Sequence, residues 1–596
     1  MNNILSVYRE RVDRFSSRVS RIKPRRNVVT AARLLSFVGL VWLVYRYFLS
    51  GYDWLYLLAG IGVLALFLAL VVLDSKITGR IDFLEALKAA SETEIAYLNG
   101  DYSRLPRGDE FANPAYPYSA DLDVFGDDSL FQHINRTFGK ENERLLADWL
   151  LNGCRSEQVI LERLEATREL SEKLGLLHNF RAAAAISGIE QLDKHAFEVW
   201  GDQPSFFTRK GVKWVVYASV TATLLSWAGV AFSLVSSSVA IALSLIQLLT
   251  VIAFAKRVSS YHNRLGRFMK AFSNYLPLLE VLHRESFQSQ RLARLYGSLF
   301  SGQRNALKAF RSLKRLLQAF DQRANMLAAA ITNGLYLSDL QLILRLNEWN
   351  RQYKPFLKEW LNSVSEMDVL MSMANYRVNH PAYSEPQPGH SVWFEAKNMG
   401  HPLIPETVRV NNDFIVGGEH NLFVVTGANM AGKSTFLRTV GINYVLALSG
   451  NVVCCDSLRF CIARLFSSMR TSDNLAKGSS YFHAEINRLK QLVEVAEGEE
   501  RVFIILDEIL KGTNSHDKLN GSRLFLKRLL NLPVSGLIAT HDLALGELNA
   551  AYPDNFHNIC FEIENTSDGI AYDYLLRPGI SQNMNASILL EQLGLI

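Results

Sequence analysis

Stretches without charge divide this chain more sharply than any other pattern in it. Trp54 to Leu73 holds twenty residues with no charged side chain. As a helix rising about 1.5 Å per residue, such a run crosses a hydrocarbon core of about 30 Å. Val28 to Leu49 is also apolar and is broken by Arg33 and Arg46 near its ends, where long side chains can reach the interface. The five residues Ser50 to Trp54 join the two stretches, which predicts a tight transmembrane hairpin. A second hairpin is predicted within Trp214 to Ala255, 42 residues with no charge, with spans near 214–235 and 238–255 around Ser236-Ser237-Ser238. Residues 81–210 and 258–376 carry apolar positions at i, i+3 and i+4 with few Gly or Pro, the pattern of long amphipathic helices. From about 377 the pattern changes. Pro381, Pro386, Pro388 and Gly389 form a linker. Short β-rich runs then alternate with helical ones: Leu422–Thr426, Val502–Leu506, Gly536–Ala539 and His557–Glu562. That alternation predicts an α/β domain with a largely parallel sheet.

Composition adds orientation. Apolar residues make up 49% and charged residues 20% of the 596, which excludes a largely disordered or collagenous chain. The five cysteines include no C-x-x-C, so neither a disulfide framework nor a zinc ribbon is favoured and a reducing compartment fits. Residues 1–28 carry eight basic residues and no early apolar run, unlike a secretory signal. Lys76, Arg80, Arg209, Lys210, Lys213, Lys256 and Arg257 flank the inner ends of the spans, whereas the hairpin tips carry no Lys or Arg. The positive-inside rule then predicts a multi-pass protein of the cell (inner) membrane, with both termini and every large segment cytoplasmic. The net charge of +5 is too small to imply a polyanion partner. Lys256 to Arg323 holds 14 basic and 3 acidic residues. Such a stretch suits DNA phosphates or anionic headgroups, and its place beside a membrane exit favours lipid or plain solvation.

Candidate chemistry lies in the C-terminal domain. The strand Asn421–Thr426 runs into Gly427-Ala-Asn-Met-Ala-Gly432-Lys433-Ser434-Thr435 and then a helical stretch. This is G-x-x-x-x-G-K-[ST] between strand and helix, the setting of a phosphate-binding loop. Gly427 and Gly432 let backbone N–H groups curl around phosphates, and the helix N-terminus favours negative charge. Lys433 is expected to reach the β- and γ-phosphates of ATP, and the Ser434 hydroxyl to ligate Mg²⁺. Val502–Leu506 ends in Asp507-Glu508. Asp507 can hold Mg²⁺ and Glu508 can orient and deprotonate the attacking water. A third strand delivers Thr540-His541, and His541 there can sense the γ-phosphate. Asp517 lies where a paired subunit could be contacted.

Together these residues resemble the MutS family of ATPases, within the wider ABC ATPase group. Thr426 to Thr435 is similar to that family's T-G-P-N-M-x-G-K-S-T. Asp473 to Phe482, followed by Glu485, resembles its D-D-L-x-x-G-x-S-T-F-x-x-E. Asp507 to Asp517 resembles D-E-x-x-x-G-T-S-x-x-D, and Ala539-Thr-His541 resembles A-T-H. Upstream, Phe125 to Thr137 and Leu145 to Leu151 look like the start of the MutS helical core, Glu366 to His380 like its end, and His401-Pro-Leu403 like the lead into the ATPase domain. The resemblance covers about 120–596. It implies a homodimer through the ATPase domains with nucleotide sandwiched between them. It also implies Ser480 acting in trans on the γ-phosphate, Asn429 shaping the loop with Thr435 at its end, and Phe414 near adenine.

The expected fold is therefore α-helical transmembrane hairpins plus a helical core, MutS lever-like, and a C-terminal α/β P-loop ATPase domain of the ABC type. Its segments are a basic N-terminus 1–27, hairpin 28–75, helical segment 76–213, hairpin 214–255, helical segment 256–380 and ATPase domain 390–596. Departures from the family bear on function. About 119 residues precede the core, too few for a mismatch-reading domain and a connector. Phe83-Leu84-Glu85 matches the mismatch reader's Phe-x-Glu but reads as a juxtamembrane helix. The insertion in the core is the hairpin 214–255, where the family has a DNA clamp. The leading expectation is a membrane-anchored ATPase that couples ATP hydrolysis to motion of its helical core, with DNA carried as an alternative target. The second is a tethered DNA mismatch repair protein. The third, an ABC-type transporter component, is weakened by four spans per chain and by the missing Leu-Ser-Gly-Gly-Gln signature.

Overall fold

The computed structural model describes residues 2–113, 115–116, 118–189, 210–321, 326–390, 392–469, 481–498, 501–511, 514–566 and 569–582. Ser480 and residues 190–209 of the expected helical segment therefore lie outside the described residues.

The first apolar pair forms the outer halves of two long helices, α1 (Asn2–Leu49) and α2 (Trp54–Leu98). Gly51 and Tyr52 turn the chain between them at positive φ, and Asp53 caps α2 by accepting from the Leu55 amide. The boundaries expected at 27/28 and 75/76 fall inside these unbroken helices. A helix satisfies its own backbone, so nothing obliges it to break where apolar sequence becomes polar. Arg33 also departs from expectation. It does not reach outward but pairs with Asp74 of α2 at 2.6 Å, and Thr30 donates to the same carboxylate. Beyond this neck, Phe15 and Val19 of α1 pack on Ile81, Leu84 and Leu87 of α2 and on Ala182. Phe83 joins the edge of that cluster, and Glu85 pairs with Lys23 at 3.0 Å. Phe83-Leu84-Glu85 therefore serves helix packing.

The second apolar pair is α3 (Lys210–Ala231) and α4 (Ser237–Ser273). Gln247 donates to the Ser219 carbonyl and the Thr223 hydroxyl, and the Trp227 indole donates to Ser244. Such contacts join helices where water is scarce. Helices α1 to α4 are the four, among the described residues, long and apolar enough to cross a membrane. They are followed by α5 (Gln290–Phe300), α6 (Ala306–Asp321), α7 (Met326–Tyr336) and α8 (Ser338–Asn379). Helix α8 is the spine of the helical region. Its 42 residues span about 63 Å, and its Trp349, Leu357, Trp360 and Met367 are buried.

One buried cluster joins α1, α2, the helical region and the end of α8. The Glu94 side chain is fully buried. Arg136 grips it with two bonds of 2.8 and 3.1 Å, Arg181 adds one of 2.7 Å and Asn379 another of 2.8 Å. Tyr8 of α1 then donates to Asn379 at 2.9 Å. Burial alone would push the Glu94 carboxyl upward. The arginine charges and these hydrogen bonds outweigh it and hold the group well below the usual carboxylate range.

The C-terminal region is α/β with two mixed sheets. Six strands run in the order β10-β9-β4-β8-β7-β6: β4 (Leu422–Gly427), β6 (Arg464–Ser468), β7 (Val502–Asp507), β8 (Val534–Ala539), β9 (Phe556–Thr566) and β10 (Gly569–Pro578). Every pair is parallel except β10 with β9. The predicted runs lie within β4, β7, β8 and β9. A smaller sheet joins β1 (Pro386–Pro388), β5 (Ser457–Phe460), β2 (Phe394–Met399) and β3 (Asn412–Val416), with one parallel pairing. Helix α9 (Lys433–Ser449) is buried along most of its length between the sheets and the helical region. Asp121 also ties the two regions, accepting from Ser467, Arg488 and the Met469 amide.

Replacing Glu94 by Gln would leave the buried Arg136 and the half-buried Arg181 without their counter-charge. Breaking a buried pair in this way costs about 3–5 kcal/mol. Denaturant unfolding of the E94Q protein should show a loss of that order, and an unchanged midpoint would mean that the cluster does not hold the helices together.

Candidate functional site

Parallel strands in the order β4-β8-β7 bring three loops to one edge of the sheet, the edge where α/β folds place ligands. Backbone bonds fix their level. The Thr540 amide donates to the Val425 carbonyl at 3.0 Å, and the Glu508 amide to the Ala539 carbonyl at 2.9 Å. The loop after β4, the Asp507-Glu508 pair and His541 therefore converge.

The loop needs its two glycines. Gly427 has φ +147°, and a Cβ there would lie 2.7 Å from the Phe561 carbonyl oxygen. Gly432 has φ +108°, and a Cβ there would lie 3.0 Å from the Tyr574 ring. Between them the chain curls over the N-terminus of α9. Lys433 is buried, and its ammonium donates to the Gly427 and Ala428 carbonyls at 2.6 and 2.7 Å. Burial lowers its pKa, against the pull of Glu508 and Asp507.

Ser434 donates to Asp507 Oδ2 at 2.8 Å. Neighbouring ligands of an octahedral Mg²⁺, each about 2.0–2.1 Å from the ion, stand about 2.9 Å apart. The two oxygens thus match one edge of such a shell. No group of three or more His, Cys, Asp or Glu able to hold a metal occurs among the described residues. These residues suit an ion that shares its ligands with phosphate rather than an all-protein cage.

Glu508 sits at φ +53° and contacts His541 Nε2 through its carboxylate, with Lys511 3.8 Å away on the other oxygen. The His541 hydrogen bond, aided by nearby charge and opposed by burial, holds the Glu508 pKa at about 2. Behind it the buried Glu485 accepts the amides of Leu510 at 2.5 Å and Lys511 at 3.1 Å. Glu485 thereby clamps the loop that follows Glu508.

These groups line one cleft of about 480 Å³. Its walls include Asn429, Lys433, Ser434, Thr435, Asp507, Glu508 and His541, together with Arg409, Val410, Phe436, Phe561 and Tyr574. Phe414 is not on that wall, contrary to expectation. Strand alternation turns it inward, where its ring meets Phe423 at 5.1 Å and Phe436 at 5.3 Å. The aromatic side chains at the cleft are instead Phe436, Phe561 and Tyr574. Tyr574 lies in an irregular stretch of β10 that Asn412 fixes, donating to the Tyr574 carbonyl and accepting from the Leu576 amide. Nothing in the sequence near the loop signals Tyr574, since 140 residues separate it from Ser434. Asp517 is exposed near the start of a helix, Ser515–Leu529, capped by Asn514.

His541→Ala tests the electrostatics. Glu508 is depressed from an ordinary value of 4.5 to about 2. Its stabilisation is therefore complete above the ordinary value and lost as pH falls through the folded value. The stability penalty of H541A should be full at about pH 5 and shrink towards zero as pH falls to about 2. Unfolding midpoints across that range check it, and a pH-independent penalty would contradict it.

Known proteins share this region. Residues 423–589 match the family model for MutS domain V. The DNA mismatch repair protein MutS of Ehrlichia ruminantium (strain Gardel) is 30% identical over 223 residues, 37% of this chain and 27% of that protein. MutS protein homolog 4 of Homo sapiens is 30% identical over 235 residues, 38% of this chain and 24% of that protein. The DNA mismatch repair protein MutS of Natronomonas pharaonis is 29% identical over 232 residues, 38% of this chain and 26% of that protein. The matched stretch thus spans about a quarter of the length of these relatives. Over this C-terminal part, the chain matches MutS domain V and is similar to MutS proteins.

Proposed function

We propose that this protein is a membrane-anchored MutS-type ATPase that couples ATP hydrolysis to motion of its helical region. The observation that carries the reading is the convergence of Lys433, Ser434, Asp507, Glu508 and His541 on one cleft, in a chain that also bears two apolar helix pairs. Backbone amides of the Gly427–Gly432 loop and the N-terminus of α9 take the phosphates of ATP. Lys433 turns from the loop carbonyls to the β- and γ-phosphates. Ser434 and Asp507 hold Mg²⁺, which when bound neutralises charge between those phosphates. Glu508 stays ionised at neutral pH and orients the attacking water. His541 holds the Glu508 carboxylate and faces the γ-phosphate. Tyr574 and Arg409 offer surfaces for the base and sugar. The MutS resemblance supplies the rest: a homodimer with nucleotide between ATPase domains, and Ser480 acting across it. The four long apolar helices and the basic residues at their inner ends support a location in the cell membrane, with the ATPase domain and both termini cytoplasmic.

The names of the relatives favour a second reading, in which the same ATPase acts on DNA at the membrane. The basic stretch 256–323 gives it limited support. Arg291 pairs with Glu366 and Glu162, Arg294 with Glu162, and Arg311 with Glu280. Lys308, Lys314 and Arg315 remain exposed on α6.

Glu508→Gln separates binding from turnover. General-base groups contribute about 10²–10⁴-fold to rate, so E508Q should lose ATPase activity by about that factor while retaining ATP. Steady-state phosphate release and equilibrium binding of labelled ATP read the two quantities. A normal rate would remove Glu508 from its assigned role.

A further inference from the structure

The second apolar pair is not alone at its depth. Between Arg323 and Arg345 the sequence holds one charged residue, Asp339. Helix α7 and the start of α8 form a helical hairpin from this stretch, and α7 packs along α4 and touches α3. Two independent markers set its level. Gly334 of α7 lies against the Ser244 carbonyl, its notional Cβ 3.7 Å away. Ser244 is twelve residues before Lys256, the first charge after the span, so it lies about 18 Å along the helix from that charge. At the other end, Glu348 of α8 pairs with Lys213, just before the charge-free stretch of α3, at 3.7 Å. Ser338, where α8 starts, is ten residues earlier, about 15 Å deeper. Both distances reach about half of a 30 Å hydrocarbon core.

The turn is built for such a place. Backbone groups in hydrocarbon must find partners within the protein. Asn333 is buried, and its side-chain oxygen accepts from the Asp339 amide at 2.9 Å and the Ser338 hydroxyl at 2.9 Å. The Leu337 amide returns to the Asn333 carbonyl, and Gln341 donates to the Tyr336 carbonyl at 2.7 Å. Asp339 is itself buried. The outward side shows Ile331 at 61% and Tyr336 at 46% exposure. The neighbouring α4 likewise exposes Leu245 and Ile246.

We propose that α7 and the first turns of α8 enter the bilayer beside the second spanning pair, reach its middle and return without crossing, with lipid acyl chains covering Ile331 and Tyr336. This rests on the reading that α3 and α4 span the membrane. It gives the helical region a foot in the bilayer. The same helix, α8, runs unbroken from that foot to Asn379 at the Glu94 cluster.

Nitroxide accessibility tests it in the full chain, with Cys154 replaced by Ser because the other four cysteines are buried. Labels go on Ile331→Cys and Tyr336→Cys, on Leu245→Cys as the spanning control and on Lys314→Cys as the aqueous control. Each protein is held in phosphatidylethanolamine–phosphatidylglycerol vesicles. Collision with oxygen is compared with collision with a water-soluble nickel chelate. The expected result is that 331 and 336 behave like 245, favouring oxygen, while 314 favours nickel. If 245 favours oxygen but 331 and 336 favour nickel, the hairpin is aqueous and the inference is overturned with the spans intact. If 245 also favours nickel, the spanning reading fails and the inference fails with it. Either hairpin position alone decides the outcome if the other variant does not fold.

Discussion

Glu94 is the group on which the arrangement of this chain depends. A carboxylate removed from water is stable only where opposite charge and hydrogen bonds replace the water. Arg136, Arg181 and Asn379 do so here, and each comes from a different part of the chain. The carboxylate itself stands near the end of α2, which begins as an apolar span. Asn379 is the last residue of α8, just before the α/β region, and Tyr8 brings in α1. Loss of Arg136, Arg181 or Asn379 would leave the buried carboxylate short of a partner, and loss of Tyr8 would free the Asn379 oxygen. The cluster therefore makes the first apolar hairpin and the base of the α/β region parts of one rigid connection.

At the cleft the constraint is different. There the strand order, not a charge, gathers the functional groups. Parallel β4, β8 and β7 end at one level, and the bonds Thr540 to Val425 and Glu508 to Ala539 hold that level. Glycine at 427 and 432 lets the loop turn back over α9 without a side chain striking Phe561 or Tyr574. The outcome is a compact set of polar groups, with Lys433 near Asp507 and Glu508 held by His541, around one cleft.

Much of this was legible from sequence because the signals are local. A loop of fixed spacing between strand and helix announces itself, as do charge-free runs of twenty residues and a strand that ends in Asp507-Glu508. Three features were not legible, each for a long-range reason. The family resemblance sets Phe414 near adenine, but pleat alternation on β3 turns it into the core. Tyr574 reaches the cleft through the bonds that Asn412 makes across 162 residues of chain. Arg33 looks like an interface anchor until α2 brings Asp74 opposite it. The helix continuity of α1 and α2 was hidden for a related reason. Composition changes at the apolar boundary, and backbone hydrogen bonding does not.

These pieces make a molecule whose α/β region matches MutS domain V and whose apolar helix pairs are tied to it by α8 and by the Glu94 cluster. The proposed coupling of ATP hydrolysis to the membrane-anchored helical region, rather than to DNA, is open to a single comparison. The most direct measurement is the steady-state ATPase rate of the full chain in detergent and in nanodiscs with and without anionic lipid. Each is run alone and with matched, mismatched and branched DNA at two salt concentrations. If hydrolysis is coupled to the anchored helices, the rate changes with the bilayer and ignores every DNA. Salt-sensitive stimulation by DNA, with no response to the bilayer, would contradict it.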